Sequence, residues 1–364
     1  MNNKKGLYIH IPFCAKKCAY CDFTSFEGKT DFAYEYCDKV ISEIKAHSKY
    51  NIDTIYFGGG TPSSVDGKII CRILDCAYSH FIVDKNAEIT IEVNPASVTE
   101  DKLLKYRKSG INRISMGAQS FNDDELKILG RIHNADDIYD TYTLIRKCGF
   151  NNVSLDLMFG LPGQSREKLA HSIECMLLLN PEHISCYGLK IEEGTPFYNK
   201  MRSGEISPLD DDSFADLYDY VCKRLTESGY IQYEISNFCK ADKHSRHNSR
   251  YWKCSEYVGV GAGASSYIDN IRSKNTDDLL NYKNEIEEIL TEEDKMCEFV
   301  IFGLRMADGI SINEFKNRFD KNIYDVFGKL LSKHERFITR DGDVLKLKRD
   351  AYYVSNAILA DFIL

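Results

Sequence analysis

Three cysteines stand close together near the N-terminus in CAKKCAYC, at Cys14, Cys18 and Cys21. Three thiolates on one short loop can hold three irons of a cubane iron–sulfur cluster, which leaves the fourth iron free to bind another ligand. A zinc site is the alternative, because His10 lies four residues before Cys14 and would complete a Cys3His set. Residues four apart in an extended strand are about 13 Å apart, which makes the zinc geometry awkward. The spacing therefore favours iron–sulfur over zinc.

Glycines and polar residues follow later strand-like runs. The segment GGGTP occupies residues 58–62, and glycines let a backbone approach a ligand closely. Glu92, Gln119 and Asp156 stand in or at the end of apolar runs, where a polar side chain is costly unless it is paired or faces a site. Arg131 could neutralise these carboxylates or bind a ligand carboxylate. Each residue alone could be a satisfied core group, but together they predict a ligand site.

The elements that must position these residues alternate between strand and helix. Six short runs rich in β-branched and aromatic residues begin at Leu7, Asp53, Glu88, Asn112, Asn152 and His183. Helical stretches lie between them, and one of these closes at Gly110. The pattern predicts a parallel sheet in an α/β fold, an incomplete (β/α)6 barrel, because a full barrel needs eight units. Barrel sites lie at the C-terminal ends of the strands, so the residues above would share one face.

We divide the chain into three parts. Residues 1–191 form the predicted partial barrel, and residues 192–290 form a barrel extension and connecting region. The segment 192–212, with two prolines and a run of acids, indicates a linker or an extended excursion. Residues 291–364 predict a mainly helical, winged-helix-like domain with a hairpin at FITRDGDVLKL. A helical cap on the barrel is favoured over a DNA-binding domain.

Composition narrows the class of protein. The 364 residues carry a net charge of −8, which argues against nucleic acid as a partner. The count of 13 cysteines is odd and only three are clustered, so a disulfide framework is not expected and the other ten are interpreted as small buried apolar groups. The sequence has neither a secretory signal nor an apolar run long enough for a spanning helix. A cytoplasmic protein is expected, with contact at a membrane surface left open.

Taken together, these motifs resemble the radical S-adenosylmethionine superfamily, in its coproporphyrinogen III oxidase-like branch. The likeness runs through YIHIPFCAKKCAYCDF, GGGTPS, IEVNP, SMGAQSF, DLMFGLPGQ and HNSRYW, and it covers nearly the whole chain. The resemblance implies a [4Fe–4S] cluster on Cys14, Cys18 and Cys21, whose open iron chelates S-adenosylmethionine. It also implies a set of residues lining the S-adenosylmethionine site: Tyr8, Tyr20, Gly59, Gly60, Thr61, Glu92, Gln119, Arg131, Asp156 and Gly188.

Two groups of this branch are candidates, the oxygen-independent coproporphyrinogen III dehydrogenases and the HemW-type haem chaperones. The dehydrogenase motif has a further cysteine where this chain has Phe23, and the dehydrogenases carry a longer N-terminal segment. HNSRYW resembles the HNxxYW motif of the HemW type, which implies His247 as a haem ligand, and a neutral imidazole is a good axial ligand for haem iron. Tyr251 and Trp252 could pack against a porphyrin. Lys243, Arg246 and Arg250 could meet its propionates.

The predicted function is therefore that of a haem chaperone with a cluster, S-adenosylmethionine and haem as cofactors. It keeps the architecture of a radical enzyme without coproporphyrinogen III dehydrogenase activity. The expected partners are haem and recipient apo-haemoproteins, with the membrane surface and a homodimer left open. The dehydrogenase, which decarboxylates propionates in haem biosynthesis, is the alternative. A zinc-bearing regulatory protein with a winged helix is the third interpretation.

Overall fold

The computed structural model describes residues 4–364, and one twelve-stranded sheet forms its centre. Six neighbouring strands of this sheet run parallel in chain order: β1 Lys4–Ile11, β2 Asn51–Gly59, β3 Ile82–Val93, β4 Arg113–Gln119, β5 Val153–Phe159 and β6 His183–Gly188. Within the described residues β1 and β6 do not pair with each other, so the barrel is not closed. The predicted incomplete (β/α)6 barrel is confirmed.

Helices cover the outer face of the six parallel strands: α1 Ala33–Ala46, α2 Gly67–His80, α3 Glu100–Ser109, α4 Asp123–Ile128, α5 Ala135–Lys147 and α6 Arg166–Leu179. Their apolar residues recur every three or four positions, as Tyr36, Val40 and Ile44 do in α1, and these face the sheet. Helix α3 ends at Gly110, whose φ of 104° is the left-handed conformation predicted for a glycine after a helix. The apolar core therefore lies between helices and sheet.

The region from 192 to 290 lengthens the sheet at both edges. Its strands are β7 Ile231–Gln232, β8 Asn237–Cys239, β9 Tyr257–Val260, β10 Ser265–Ile268, β11 Ile271–Asn275 and β12 Asn284–Ile289. Strand β8 is antiparallel to β6 at one edge, and β9 is parallel to β1 at the other. The helices of this region are α7 Pro196–Arg202, α8 Asp211–Glu227 and α9 Arg246–Trp252.

Helix α7 lies inside the segment that was predicted as a linker. Thr195 accepts a hydrogen bond from the backbone N–H of Tyr198, and Pro196 occupies the first turn. Thr195 and Pro196 favour the start of a helix, because the Thr195 side chain satisfies a backbone N–H of the first turn and the proline ring fixes φ at a helical value. The expectation of an irregular segment over 192–212 is therefore wrong in part.

The C-terminal region is mainly helical, as predicted. Its helices are α10 Glu292–Gly303, α11 Ile312–Phe319, α12 Ile323–Lys333 and α13 Ser355–Ala360. A three-stranded sheet accompanies them, made of β13 Ile310–Ser311, β14 Ile338–Asp341 and β15 Val344–Leu347. The predicted hairpin is β14–β15, joined by Gly342 and Asp343.

The inside of the barrel is polar, in contrast to its outer layer. In β4 the alternate residues Arg113, Ser115 and Gln119 share the inward face. Arg113 is 1% exposed, and its Nε and Nη1 atoms have no hydrogen-bond partner among the described residues. Such an interior suits a polar ligand better than a structural core. No helix within residues 4–364 is long and apolar enough to cross a membrane.

Candidate functional site

The cysteine loop follows β1 and is fixed by backbone hydrogen bonds to two other parts of the barrel. The N–H of Thr61 donates to the carbonyl of Phe13 over 2.8 Å, which ties the start of the loop to the end of β2. The N–H of Ala19 donates to the carbonyl of Leu129 over 3.0 Å, just past α4. Cys14 is buried beside Thr61, while Cys18 and Cys21 are partly exposed. The loop thus sits at the C-terminal ends of the strands.

A chain of polar contacts links the thiols of Cys14 and Cys18. Arg131 donates from Nη1 to Cys18 Sγ over 3.4 Å and from Nη2 to Asn94 Oδ1 over 2.7 Å. Asn94 donates from Nδ2 to Thr61 Oγ1 over 2.9 Å, and Thr61 Oγ1 lies 3.8 Å from Cys14 Sγ. Asn94 is a site residue that sequence reasoning missed, although it follows Glu92 by two positions.

A cavity of about 220 Å³ opens beside this chain of contacts. Cys18, Thr61, Asn94 and Arg131 all line it. Arg131 is therefore not a surface arginine, because its guanidinium is partly buried and directed at the cysteine loop. The arrangement places a fixed positive charge and amide donors within reach of a carboxylate ligand.

The three thiols have the chemistry of cluster ligands. None of them forms a disulfide, and burial raises the pKa of Cys14 and brings that of Cys21 to about 11. At neutral pH these two thiols are protonated without a metal, so metal binding must release protons. Among residues 4–364, no three His, Cys, Asp or Glu side chains stand as a ready set of ligands around one metal ion. The donor types and their common loop fit a [4Fe–4S] cluster.

His10 does not fit the zinc alternative. Its Nδ1 atom lies 3.0 Å from the hydroxyl of Tyr8, and its Nε2 atom lies 2.8 Å from the carbonyl of Thr24. The ring is buried, and both of its nitrogens are already engaged. A Cys3His zinc site would have to break one of these bonds.

Two carboxylates, Glu92 and Asp156, point into the barrel at the same end. Tyr56 donates its hydroxyl to Glu92 Oε1 over 2.8 Å, and Ser115 donates to Asp156 Oδ1 over 3.4 Å. Loss of hydration raises the pKa of Glu92 to about 7 and that of Asp156 to about 6, and the nearby Arg113 opposes both shifts. With these pKa values, both carboxylates lie close to their titration midpoints near neutral pH.

The predicted glycines contact protein atoms closely. A Cβ atom on Gly60 would lie 2.8 Å from the carbonyl oxygen of Phe13, and Gly59 has a φ of 116° beside the His10 ring. A Cβ atom on Gly188 would lie 2.3 Å from the ring of Phe214. Close packing thus requires these glycines whether or not a ligand approaches them.

Two further predicted residues are Gln119 at the end of β4 and Tyr20 within the cysteine loop. Gln119 ends β4 in the left-handed region, with a φ of 68°, and its side-chain amide lies over Gly117. Tyr20 packs on a small apolar cluster that includes Leu129 and Phe197, and burial raises its pKa.

His247 lies inside the barrel, away from the surface. Its ring stacks on Tyr56 at 5.2 Å between ring centres, and Tyr8 lies 6.4 Å away. Its Nδ1 atom lies 2.9 Å from Thr54 Oγ1, and its Nε2 atom lies 3.0 Å from the hydroxyl of Tyr251. Burial lowers the pKa of His247 to about 3, so the imidazole is neutral. In this conformation both ring nitrogens are engaged.

The other residues of HNSRYW lie in different surroundings, some at the barrel and some away from its interior. Arg250 pairs with Asp53 in β2, so it is not free for a propionate. Trp252 packs away from the barrel interior, with the guanidinium of Arg305 4.5 Å from its ring and Phe302 beside it. Tyr251 lines a second cavity.

Comparison with known proteins agrees with this geometry. The heme chaperone HemW of Lactococcus lactis subsp. lactis (strain IL1403) is 32% identical over 373 residues, covering 100% of this chain and 98% of that protein. The chain belongs to the HemW family. The HemW proteins of Bacillus subtilis (strain 168) and Escherichia coli (strain K12) are 36% and 38% identical, over 90% and 72% of this chain and 90% and 70% of their own lengths.

Comparisons with family models and solved structures relate the chain to the radical SAM superfamily. Residues 8–176 match the radical SAM superfamily, and residues 290–354 match the HemN C-terminal domain. Membership in that superfamily implies a [4Fe–4S] cluster and S-adenosylmethionine. The structure of coproporphyrinogen III oxidase (HemN) from Escherichia coli, described as a radical SAM enzyme, superposes with a TM-score of 0.87 over 99% of this chain and 90% of its own. At 23% identity that likeness establishes the fold.

Proposed function

We propose that this protein is a haem chaperone, which binds haem and passes it to apo-haemoproteins while carrying a [4Fe–4S] cluster and S-adenosylmethionine. Its HemW relatives carry that function in their names. The observation that carries the proposal is the position of two residues of HNSRYW, because His247 stacks on Tyr56 inside the barrel and Tyr251 lines a cavity.

Cys14, Cys18 and Cys21 would hold the cluster, which supplies an open iron for the amino and carboxylate groups of S-adenosylmethionine. Arg131 would hold the ligand's carboxylate, since its guanidinium is already fixed by Asn94 and lines the adjacent cavity. Glu92 and Asp156 would accept hydrogen bonds from the ligand deeper in the barrel. Accepting them favours the ionised carboxylates.

His247 would be the axial ligand of haem. The ring has the required neutral state, and its Nε2 atom is held by a single hydroxyl, that of Tyr251. Ligation therefore requires Tyr251 to leave this bond, while Thr54 continues to orient the ring through Nδ1.

The decisive experiment is an anaerobic titration of the reconstituted protein with haem, followed by the Soret band, beside a coproporphyrinogen III turnover assay. We expect stoichiometric haem binding and no formation of protoporphyrinogen IX. His247→Ala should weaken or alter haem binding, leave the cluster spectrum unchanged and abolish transfer to an apo-haemoprotein. His80→Ala, a histidine on α2 outside the barrel, is the matched control and should behave as wild type.

The dehydrogenase is the second candidate, supported by the fold shared with HemN. Efficient decarboxylation of coproporphyrinogen III by the wild-type protein would favour it and contradict the chaperone proposal. Phe23, in the place of the dehydrogenase cysteine, favours the chaperone.

A further inference from the structure

A second cavity, of about 370 Å³, lies beside the barrel interior and is open to solvent. We call it the aromatic cavity. Five parts of the chain contribute to its lining: Tyr8 from β1, Phe23 from the end of the cysteine loop, Tyr251 from α9, Tyr257 from β9 and Lys274 from β11. Its volume lies within the range of small-molecule sites, about 300–1,000 Å³.

Two of the sequence features that separate this chain from the dehydrogenases meet in this cavity. One is Phe23, which replaces a cysteine, and the other is HNSRYW, which contributes Tyr251. The side chain of Phe23 is 64% exposed at the cavity lip. The exposed ring offers apolar area that a ligand would remove from water, so its placement suits a flat apolar ligand.

Aromatic rings supply the walls of the cavity. Tyr251 meets Tyr257 edge to face, with ring centres 4.8 Å apart and an angle of 88° between the rings. Tyr8 contributes a third ring, which stacks with Tyr56 at 6.2 Å. Surfaces of this kind favour planar conjugated molecules over flexible apolar ones.

Lys274 is the cationic group of the cavity. Its ammonium forms no hydrogen bond and no ion pair with the described residues, whereas Arg272 of the same strand is paired with Glu298 and Arg250 of α9 is paired with Asp53. Asp22 also lines the cavity, without an ion pair to Lys274. A partly buried lysine with no partner is suited to a ligand carboxylate.

We propose that the aromatic cavity is the haem site, with the macrocycle against Phe23 and Tyr257 and one propionate on Lys274. This proposal rests on the function proposed above. The hydroxyl of Tyr251 lies between the cavity and His247, so the ligand would first occupy the cavity and His247 would then reach its iron as Tyr251 moves. An open cavity encloses only part of the macrocycle, which suits a cargo that has to leave.

The test is a haem titration of Phe23→Ala and Lys274→Gln in the reconstituted full chain. Each variant should bind haem about tenfold more weakly, with unchanged iron content. Leu178→Ala, an exposed apolar residue on α6, and Lys45→Gln, an exposed lysine on α1, are the matched controls and should stay within about twofold of wild type. Haem dimethyl ester, which lacks free propionates, should bind wild type and Lys274→Gln equally.

The outcomes separate the two proposals. If wild type binds haem and neither cavity variant weakens binding, the cavity assignment is wrong and the chaperone function stands. If Lys274→Gln weakens the ester as much as haem, the propionate contact is wrong. If wild type does not bind haem at all, the proposed function itself fails.

Discussion

The guanidinium of Arg131 donates to the thiol of Cys18 over 3.4 Å and to the side chain of Asn94 over 2.7 Å. One side chain therefore joins the candidate cluster loop to the candidate S-adenosylmethionine site. Arg131→Gln removes the charge and both bonds. A hydrogen bond to a charged group contributes about 1.5–3 kcal/mol, so we expect S-adenosylmethionine affinity to fall by roughly 10- to 100-fold in equilibrium binding to reconstituted protein. Arg107→Gln, on the outer helix α3, should leave the affinity unchanged.

Loss of any one of the three clustered cysteines should prevent cluster assembly. We expect about four irons and four sulfides per wild-type chain after anaerobic reconstitution, and close to none in Cys14→Ala, Cys18→Ala or Cys21→Ala. Cys71→Ala is the control, because its thiol lies on α2 against the carbonyl of Lys105. Stoichiometric zinc without sulfide would instead support the zinc interpretation.

Gly60→Ala should disturb the cysteine loop as well as the ligand site. The added Cβ atom would lie within 3.0 Å of backbone atoms of Pro12 and Phe13, and backbone cannot yield as a flexible side chain can. We expect less iron retained per chain and weaker S-adenosylmethionine binding, measured by iron analysis and by titration. Gly328→Ala, whose Cβ atom would meet nothing closer than 4.0 Å, is the control. Normal iron content with weakened ligand binding would mean that the loop tolerates the shift.

The stability of the protein without S-adenosylmethionine should fall as pH rises from about 5 to 7. Folding raises the pKa of Glu92 to about 7 and that of Asp156 to about 6, so the folded state binds more protons than the unfolded state in this window. Stability then decreases with pH, and the loss is complete above pH 7. At about 1.4 kcal/mol per pKa unit, the rise in the pKa of Glu92 from 4.5 to about 7 accounts for roughly 3–4 kcal/mol of this loss.

Thermal unfolding of the cluster-loaded protein across this window checks the effect. Glu92→Gln should flatten the decline in melting temperature, because the neutral amide does not titrate. Glu285→Gln, in the exposed edge strand β12, should not change the slope. A slope equally steep in Glu92→Gln and wild type would assign the pH dependence to other groups.

The sequence was sufficient to predict the six parallel strands, because each has a run of β-branched or aromatic residues followed by a polar or glycine-rich end. The sequence did not predict helix α7, because the acidic residues and prolines around it are typical of a linker and outweighed the helix start signal at Thr195 and Pro196. Local patterns indicate local structure only, whereas the pairing of the short strand β8 with β6 and with β7 depends on contacts across the sheet.

Within the site, residue types alone did not reveal the surroundings of two side chains. Asn94 precedes a proline and so resembles an ordinary turn residue, although it links Thr61 to Arg131. The burial of His247 depends on Thr54, which lies 193 residues earlier in the chain. Contacts over such separations arise from the order of strands in the sheet, and no local sequence pattern predicts them.

Helix α9 makes the C-terminal region a structural part of the haem proposal. The helix is seven residues long, with His247 in the barrel near its first turn and Trp252 at its last position against Arg305. A barrel produced without α10 and the residues after it would leave the Trp252 ring without this cover and loosen the helix that holds His247. The smallest fragment of this protein that can serve to study haem binding therefore extends past Arg305, well beyond the last strand of the barrel sheet.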